Sequence, residues 1–252
     1  MESGLLTRGS RQTHLDLAQH IEDILASVLV NLPETEQEFQ QEFEYAHESA
    51  LYSISKRALD LVVSSVALIL VSPLMAALAI AIRLESKGPA FFGHVRLGKN
   101  GKRFRCLKFR SMRPGAQEDL LSDPVLRRRY VENDYKLPAD EDPRVTPLGR
   151  FLRRSSLDEL PQLINVLAGT MSLVGPRPVV PEELTWYGDR ADHFLSVKPG
   201  ITGVWQIQGR SRISYPMRTQ VELDAIQQRS LWRDVKVLVK SVPAVITARG
   251  SL

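Results

Sequence analysis

Residues 60–83 read DLVVSSVALILVSPLMAALAIAIR, and the 22 residues between Asp60 and Arg83 carry no formal charge. A helix rises about 1.5 Å per residue, so this stretch would reach about 33 Å, enough to cross the hydrocarbon core of a bilayer. It lies too far along the chain for a signal peptide and lacks a cleavage pattern. A buried core helix is the alternative, but no charged residue marks a solvent-facing side. The sequence therefore predicts a membrane element.

The middle of this segment is Ser72-Pro73, where proline removes one intrahelical hydrogen bond and predicts a kink or break. Lys56 and Arg57 precede the segment, and two further cations follow it. Positive charge beside a membrane segment marks the cytoplasmic side, and here both ends are marked. A straight span is the alternative, but it would place the basic body across the membrane. We therefore expect a re-entrant hairpin in the cytoplasmic leaflet, with Ser72 bonding the carbonyl that Pro73 frees.

The charge of the chain is divided unevenly. The 252 residues include 33 Lys or Arg and 29 Asp or Glu, a formal net charge of +4. Residues 1–50 hold two basic and ten acidic residues, and the other 202 hold 31 basic and 19 acidic ones. The acidic part predicts two helices within residues 12–48, a solvated appendage for which an oligomer contact or a lid are the alternatives. The single Cys106 excludes a disulfide framework and fits a reducing compartment.

A basic hairpin is predicted after the membrane segment. Residues 87–113 contain nine Lys or Arg and no acid, and KNGK at 99–102 separates two short alternating runs. Such a hairpin could contact anionic lipid headgroups. It could also bind substrate phosphates, for which Lys108 and Arg110 are candidates. Nucleic-acid binding is disfavoured, because the aromatic residues here adjoin a membrane segment.

Two further helices are predicted. Asp123-Pro124 is an N-cap and N1 pair for a helix that runs to about Asn133, to which we assign no chemistry. Residues 230–248 predict a helix with a basic side and an apolar side, with Trp232 near their boundary. This second helix could lie flat in the headgroup plane or pack on the protein's own core.

The densest chemistry lies in GRFLRRSSLDELPQLINVLAGTMSLVGPRP, residues 149–178. Ser156 and Glu159 have the spacing of a capping box, which predicts a helix from about Leu157 to Ala168. Under this interpretation Glu159 only caps its own helix. In the alternative, Asp158 and Glu159 both project from the helix N-terminus, where the helix dipole keeps an acid ionised as a nucleophile or metal ligand.

Arginine-containing loops flank this pair. Arg153, just before the two acids, can hold a phosphate. GPRP at 175–178 is a rigid loop that pre-orients Arg177 for a bidentate phosphate contact, and a turn with a surface arginine is the alternative. The glycine-punctuated stretch from residue 199 to Arg210 could bring backbone N–H groups to an anion. Its spacing matches neither a P-loop nor a dinucleotide-binding motif.

These segments, with KRALDLVVSSVALILVSPLMAALAIAIRLESKGPAFF, RLGKNGKRFRCLKFRSM and PGITGVWQIQGR, resemble the bacterial sugar transferase family. Its members are monotopic polyprenyl-phosphate glycosyl-1-phosphate transferases, and the resemblance covers residues 55 to about 250. It implies transfer of sugar-1-phosphate from a UDP-sugar to undecaprenyl phosphate, with release of UMP. That reaction initiates synthesis of a surface glycan such as exopolysaccharide, capsule or O-antigen.

The resemblance also implies a ping-pong route with a covalent phosphoaspartyl intermediate and Mg²⁺. Asp158 would be the nucleophile, and Glu159 would assist metal or proton handling. The resemblance further implies that Arg153 and Arg177 are phosphate ligands, that Ser72-Pro73 is the break in the re-entrant helix and that Lys56-Arg57 is its interfacial anchor. Lys108, Arg110 and Arg210 are further candidates for phosphate and substrate binding.

We therefore expect an α/β, mostly helical monotopic membrane protein. Residues 1–50 would be an N-terminal extension, 51–88 a re-entrant helix-break-helix, and 89–252 a catalytic domain with a small basic hairpin and amphipathic interfacial helices. The expected partners are a UDP-sugar, undecaprenyl phosphate and membrane lipids at the cytoplasmic face of the bacterial inner membrane, with no nucleic acid. A homo-oligomer through the extension is a further alternative. The rival functions are a non-enzymatic module that binds anionic lipid and an assembly platform.

Overall fold

The computed structural model describes residues 50–133, 137, 138, 140–208 and 213–246, with side chains as far as Ser241. The helices predicted within residues 12–48, and the oligomer contact or lid that they would form, lie outside the described residues. Arg210 also lies outside them. The division of the chain at residues 50 and 88 stays a prediction.

The described part is mostly helical, with two small two-stranded sheets. The helices are α1 (Ala50–Glu85), α2 (Ala116–Ser122), α3 (Pro124–Glu132), α4 (Pro147–Ser155), α5 (Gln162–Leu167), α6 (Ala191–Leu195), α7 (Val204–Gln208), α8 (Met217–Gln227) and α9 (Leu231–Ile246). The strands are β1 (Phe91–Leu97), β2 (Arg103–Phe109), β3 (Ser172–Val174) and β4 (Gly200–Thr202). Short 3-10 helices lie at Lys99–Gly101, Leu157–Glu159 and Pro181–Arg190. The predicted mostly helical α/β class is confirmed at this level.

Helix α1 contains the whole predicted membrane segment. The helix continues through Pro73, so the predicted break does not interrupt it. Proline has no N–H to donate to the Ile69 carbonyl, and Ser72 Oγ donates to that oxygen at 2.9 Å instead. The hydrogen bond expected of Ser72 is therefore present, and it explains how the helix tolerates Pro73. A return of the segment to its face of entry stays a prediction.

Much of α1 has no protein neighbour among the described residues. Of its most apolar 18-residue window, 17% is buried, and Ile69 and Leu70 are each 73% exposed. An apolar surface of this extent is rare on a protein surrounded by water. Among the described helices, α1 is the one long and apolar enough to cross a bilayer. These properties fit a membrane-associated protein, and they disfavour the alternative of a buried core helix.

One side of α1 packs on the rest of the structure along its length. In the first half Val63 packs against a buried cluster that includes Val166. In the second half Ile82, which is 1% exposed, belongs to a cluster with Phe109 and Leu152. Apolar burial therefore connects the membrane helix to the helices and strands that carry the polar residues discussed below.

Polar contacts attach both ends of α1. Near its start, Lys56 Nζ lies 2.8 Å from Asp234 Oδ2 on α9. Near its end, Glu85 Oε1 accepts a hydrogen bond from Leu148 N at 2.8 Å. The two contacts lie about 29 residues apart along the helix, and both join it to the residues that follow it in sequence.

The predicted hairpin is confirmed. Strands β1 and β2 pair antiparallel from Phe91–Phe109 to Leu97–Arg103. Asn100, with a φ of 57°, leads the turn through the left-handed region, which asparagine tolerates better than most residues. This hairpin carries Lys108 close to its base.

The two other predicted helices are also present. Asp123 caps α3 by accepting hydrogen bonds from Val125 N and Leu126 N. In α9, Val237 is 5% exposed and belongs to the core, whereas Trp232 and Val239 are each 65% exposed. Helix α9 therefore packs on the core through one side and keeps apolar side chains outward on another.

Candidate active site

The capping box predicted at Ser156 is wrong. Ser156 has a φ of 58° and ends α4 in the left-handed conformation, and its side chain makes no capping hydrogen bond. Leu157–Glu159 form a single 3-10 turn, and α5 begins only at Gln162. The reason is Pro161, which has no N–H with which to continue a helix begun at Leu157. Glu159 therefore does not cap its own helix.

The two acids instead face the base of the hairpin. Lys108 Nζ lies 2.6 Å from Glu159 Oε1 and 3.7 Å from Asp158 Oδ2. Lys108 comes from β2, and the acids come from the turn between α4 and α5, 50 residues further along the chain. One ammonium group therefore lies beside both carboxylates, and all three side chains form the centre of the candidate site.

Burial sets the electrostatics of this centre. Asp158 is 7% exposed, and burial raises its pKa; Lys108 opposes this effect and the adjacent Glu159 adds to it. Burial lowers the pKa of Lys108, but the charges of Glu159 and Asp158 outweigh burial, so the pKa of the lysine is raised. Lys108 thus stays charged, while the ionised form of Asp158 depends on its cationic neighbours. Side-chain cations, and not the expected helix dipole, favour the ionised form of Asp158.

Arg153 is one of these neighbours. Its Nε donates to Ser111 Oγ at 2.9 Å, and its charge lowers the pKa of Asp158. Behind it, Arg144 and Asp142 form a bidentate pair with two hydrogen bonds of 2.8 Å, and both residues are almost fully buried. The structure therefore brings Arg153 to the dyad, with Ser111 fixing its direction.

Arg177 is the second arginine at the site. Its charge also lowers the pKa of Asp158, and its guanidinium lies 5.9 Å from the centre of the Trp205 ring. Its backbone N–H donates to Glu222 Oε1 at 3.1 Å. Glu222 is 2% exposed and also accepts from the Tyr187 hydroxyl and, at 3.4 Å, from Arg218 Nη2. A buried carboxylate on α8 therefore holds the backbone of the GPRP loop.

In the glycine-punctuated stretch, the backbone N–H of Gly200 has a different role from the one predicted. Gly200 N donates to the Pro176 carbonyl at 2.8 Å, and Gly175 N donates to the Thr202 carbonyl at 3.0 Å. A Cβ at Gly200 would overlap with Gly175 N, so only glycine permits this approach. The N–H group of Gly200 is thus used to pack β4 against the GPRP loop, and it is not available to an anion.

Three cations named from the sequence lie away from the dyad. Arg110 donates to the carbonyls of Lys87 and Ser86 at the end of α1. Arg57 donates to the carbonyls of Val166 and Leu167 at the end of α5, and Lys56 pairs with Asp234 as described above. Guanidinium groups commonly stabilise helix C-termini in this way. In these contacts the three residues join α1 to the protein, and their predicted roles toward phosphate or lipid stay predictions.

Sequence reasoning missed the residues behind Arg177. Glu222 and Arg218 form a buried i,i+4 pair on α8, and the Arg218 guanidinium lies 4.5 Å from the centre of the Trp205 ring. The i,i+4 spacing of opposite charges was visible in the sequence, but it is common on exposed helices. No local signal shows that this pair is buried behind a loop about 45 residues earlier.

The donor set fits one kind of magnesium site. Among the described residues, no group of three or more His, Cys, Asp or Glu side chains could hold a metal ion. Asp158 and Glu159 supply two carboxylates. Mg²⁺ is commonly held by one or two carboxylates together with substrate phosphates, so the dyad fits an ion that arrives with a diphosphate. It does not fit a cage built from protein ligands alone.

The arrangement suits chemistry on phosphate groups. Lys108, Arg153 and Arg177 surround two carboxylates in a partly buried site, where cations act more strongly on an anion than they do in water. A carboxylate in such a setting can attack phosphorus or help to hold a cation. A purely structural ion pair would need only one of these three cations.

Comparison with known proteins gives one consistent answer. The sequence model described as bacterial sugar transferase matches residues 51–248. An uncharacterized sugar transferase of Haemophilus influenzae is 45% identical over 202 residues, which cover 79% of this chain and 42% of the relative. Undecaprenyl-phosphate galactose phosphotransferase of Salmonella typhimurium is 45% identical over 199 residues, 78% of this chain and 41% of the relative. Exopolysaccharide production protein ExoY of Sinorhizobium fredii is 43% identical over 202 residues, which cover 79% of this chain and 88% of the relative.

The chain thus spans about two fifths of the length of the first two relatives and most of the third. The matched region includes all of α1 except its first residue, the basic hairpin, the Asp158–Glu159 turn and the whole of α9. Its extent agrees with the resemblance seen in the sequence motifs. The chain belongs to the bacterial sugar transferase family.

Proposed function

We propose that this protein transfers sugar-1-phosphate from a UDP-sugar to undecaprenyl phosphate and so initiates synthesis of an exopolysaccharide or related surface glycan. The observation that carries the proposal is buried Asp158 with half-buried Glu159 beside Lys108, and with Arg153 and Arg177 acting on Asp158. Both substrates of such a reaction carry phosphate groups, and one has a tail confined to lipid. The relatives' names, undecaprenyl-phosphate galactose phosphotransferase and exopolysaccharide production protein, support the same reaction class.

The reaction proceeds in two displacements at one phosphorus atom. A carboxylate oxygen of Asp158 attacks the β-phosphorus of the UDP-sugar, a new O–P bond forms, and the bond to the α-phosphate oxygen breaks to release UMP. An oxygen of undecaprenyl phosphate then attacks the same phosphorus and displaces Asp158. The two anionic substrates need not be bound together. Arg153 and Arg177 offset the phosphate charge in both steps, and Lys108 holds Glu159 beside the nucleophile.

Magnesium enters this proposal through the dyad. Asp158 and Glu159 would share its coordination with the diphosphate, and the ion would neutralise charge on the departing UMP. Glu159, whose carboxylate is 2.6 Å from Lys108 Nζ, is the residue free of the nucleophilic role. We therefore expect Glu159 to stay in contact with the ion longer than Asp158 does.

The membrane geometry of the proposal rests on the two ends of α1. Lys56 pairs with Asp234, and Glu85 accepts from Leu148 N, so both ends contact the same polar body. A straight crossing would place one of these contacts on the far side of the bilayer. We therefore place both ends on one side, with α1 entering a single leaflet of the inner membrane from the cytoplasm. The buried free thiol of Cys106 agrees with a reducing compartment.

Labelling of introduced cysteines tests this geometry. In a Cys106→Ala background, Leu51→Cys in the first turn of α1 and Lys87→Cys just after its end both lie at exposed positions. In inverted vesicles, which expose the cytoplasmic face, a membrane-impermeant maleimide should label both cysteines. In right-side-out vesicles it should label neither. Labelling of the two positions from opposite sides would overturn the re-entrant geometry.

UMP release tests the activity. Purified protein with Mg²⁺, undecaprenyl phosphate and a panel of UDP-sugars should release UMP, and Asp158→Asn should reduce the rate by about 10³-fold or more. Asp192→Asn, at an exposed acid, is the matched control and should retain the full rate. Robust turnover by Asp158→Asn would exclude this nucleophile. Absence of turnover with every UDP-sugar would favour the anionic-lipid module or the assembly platform.

A further inference from the structure

The segment after the GPRP loop runs along the turn end of the hairpin. Leu97 N, at the end of β1, donates to the Val179 carbonyl at 3.0 Å. One residue earlier, Arg96 Nη1 lies 3.1 Å from Glu183 Oε2. This ion pair, called the Arg96–Glu183 pair below, joins the hairpin to the first turn of the 3-10 helix Pro181–Arg190. The proposed reaction assigns no role to it.

The Arg96–Glu183 pair lies on the side of the hairpin that carries Lys108. Side chains at alternate positions of a strand point to one face of the sheet, and directly opposed residues share a face. Phe92 is opposed to Lys108, so Phe92, His94 and Arg96 all share the face of Lys108. One continuous surface therefore leads from the dyad to the pair.

Arg177 connects the two ends of this surface electrostatically. Burial lowers the pKa of Arg96, and the charge of Arg177 lowers it further. The same guanidinium group lowers the pKa of Asp158 against the effect of burial, as described above. A nucleotide sugar whose diphosphate lies beside Arg177 can therefore reach the Arg96–Glu183 pair with one of its hydroxyl-bearing ends.

Helix α3 approaches the same carboxylate from a third direction. Burial raises the pKa of Tyr130 on α3, and the charge of Glu183 adds to this effect. The Tyr130 ring is itself fixed by the Arg144 guanidinium, which lies 5.5 Å from the ring centre. The hairpin, α3 and the segment after the GPRP loop thus meet around Glu183.

Hydrogen-bond chemistry distinguishes Glu183 from the cations near the dyad. Lys108, Arg153 and Arg177 can donate to phosphate but have no acceptor atoms. The hydroxyl groups of a sugar must also donate, and each one needs an acceptor where the protein displaces its water. In the proposed reaction the dyad carboxylates are engaged with phosphorus and the metal ion. The carboxylate of Glu183 provides a further acceptor on the same surface.

One oxygen of Glu183 is held by the protein and the other is open. The side chain is 9% exposed, and Oε2 accepts from Arg96 Nη1 and, at 3.0 Å, from Val180 N. Oε1 accepts from none of the described residues and remains accessible at the surface. A carboxylate that only capped its helix and paired with Arg96 would need Oε2 alone. Glu183 therefore presents an oriented, ionised acceptor to a ligand.

We propose that Glu183 is a specificity-determining residue that accepts a hydrogen bond from a hydroxyl group of the UDP-sugar, while Arg96 holds its carboxylate in place. A hydrogen bond to an ionised acceptor is stronger than one between neutral groups, and a site built around it rejects ligands that lack the hydroxyl group. The hydroxyl group belongs to the hexose or to the ribose, which share this chemistry. The inference rests on the proposed function, from which it takes the nucleotide sugar as the ligand.

Paired removal of the acceptor and of the hydroxyl group tests this proposal. Titration calorimetry would measure binding of a panel of UDP-sugars to the full chain in detergent micelles, with Asp158→Asn as the common background so that the ligand is not consumed. The tightest-binding UDP-sugar is then compared with analogues that each lack one hydroxyl group of the hexose or of the ribose. With Glu183 present, one analogue should bind about tenfold more weakly than the complete ligand.

The variants should remove this difference. Glu183→Ala should bind the complete ligand about tenfold more weakly and the critical analogue equally well, because the two removals delete the same hydrogen bond. Glu183→Gln keeps an acceptor for Val180 N and should reduce the discrimination by about threefold, which decides the result even where Glu183→Ala unfolds. Glu182→Gln, at the exposed neighbouring acid, is the matched control and should keep the full discrimination.

The outcomes separate this inference from the proposed function. An equal loss for the complete ligand and every analogue, or no loss at all, overturns the role of Glu183 and leaves the proposed reaction intact. Binding by the natural protein without UMP release overturns the reaction alone, and no binding of any UDP-sugar overturns both. Where the inference holds, a critical analogue altered on the hexose assigns the contact to the transferred sugar, and one altered on the ribose assigns it to the nucleoside.

Discussion

Asp158 and Glu222 are both buried carboxylates within the same protein, but their surroundings differ. Asp158 is 7% exposed, has a like charge beside it in Glu159, and lies 3.7 Å from its lysine. Glu222 is 2% exposed and accepts from a backbone N–H, a tyrosine hydroxyl and an arginine. Burial raises the pKa of Asp158. The first carboxylate lies among cations at longer range and beside a like charge, whereas the second accepts several hydrogen bonds and holds a loop.

Removal of the ammonium group should have the largest effect on the Asp158 side of this comparison. Lys108→Met should lower kcat for UMP release by about 100-fold, because one preorganised cation is lost and the two acids then repel each other. Lys102→Met, at an exposed position of the same hairpin, is the control and should keep the natural rate. A Lys108→Met variant within threefold of that rate would show that the lysine has no part in the reaction.

The Glu222→Gln variant tests the second carboxylate of this comparison. Gln can still accept from Arg177 N, but it leaves the Arg218 charge buried without its partner, so the free energy of unfolding should fall by about 3 kcal/mol. The midpoint of denaturant unfolding would measure this change, with exposed Glu182→Gln as the control. The rate should fall by about tenfold under conditions where the variant is folded. An unchanged midpoint would mean that Glu222 is as replaceable as a surface acid.

The pH dependence of stability sharpens the same contrast. The pKa of Asp158 is raised in the folded protein, so its contribution to stability is present below the ordinary carboxyl pKa of 3.8 and is lost as the pH rises through the folded value. Asp158→Asn should therefore be at least as stable as the natural protein at pH 8, and this advantage should shrink toward pH 4. Denaturant unfolding at both pH values would measure it. An Asp158→Asn variant that is less stable than the natural protein at pH 8 would contradict the conclusion that burial disfavours the ionised form of Asp158.

The acid limb of the rate profile has the same origin. In the proposed reaction only ionised Asp158 attacks phosphorus, so kcat/KM should rise with pH through a value above the ordinary carboxyl range. UMP release across a pH series would locate this limb. A limb at or below pH 3.8 would show that the surrounding cations outweigh burial when substrate is bound.

A surface ion pair gives the smallest expected effect and a baseline for the others. Arg113 Nη2 lies 3.0 Å from Asp119 Oδ2, and both side chains are 40% exposed or more. Arg113→Gln should change the free energy of unfolding by less than about 1 kcal/mol and leave UMP release unchanged. A larger loss of activity would place the start of α2 within the site.

Local sequence signals predicted the elements that depend on local chemistry. Asp123-Pro124 caps α3, KNGK at 99–102 turns the hairpin, and the uncharged run from Leu61 to Ile82 lies within α1. In each case a short stretch contains both the pattern and the groups that satisfy it. The match of Asp158–Glu159 to the family motif likewise depends on adjacent residues.

The contacts that shape the site were not predictable in this way. Ser156 and Glu159 have the spacing of a capping box, but Pro161 and the distant Lys108 determine what Glu159 binds. Glu222 supports Arg177 from 45 residues away, and nothing near either residue indicates the contact. Arg110 bonds the carbonyls of Ser86 and Lys87 because an unpaired helix end lies within its reach, and no local pattern indicates this contact; its role toward phosphate stays a prediction.

The bond from Arg57 to the end of α5 has a consequence for the depth of the reaction. Helix α5 begins three residues after Glu159, and its last carbonyls, those of Val166 and Leu167, are attached to α1 by Arg57. The dyad is therefore at a fixed height relative to α1. A displacement of α1 by one helical turn, 5.4 Å, would move Asp158 by a similar distance relative to the lipid phosphates. In the proposed reaction, the number of apolar residues between Asp60 and Arg83 would therefore set the membrane depth at which a lipid-borne phosphate meets Asp158.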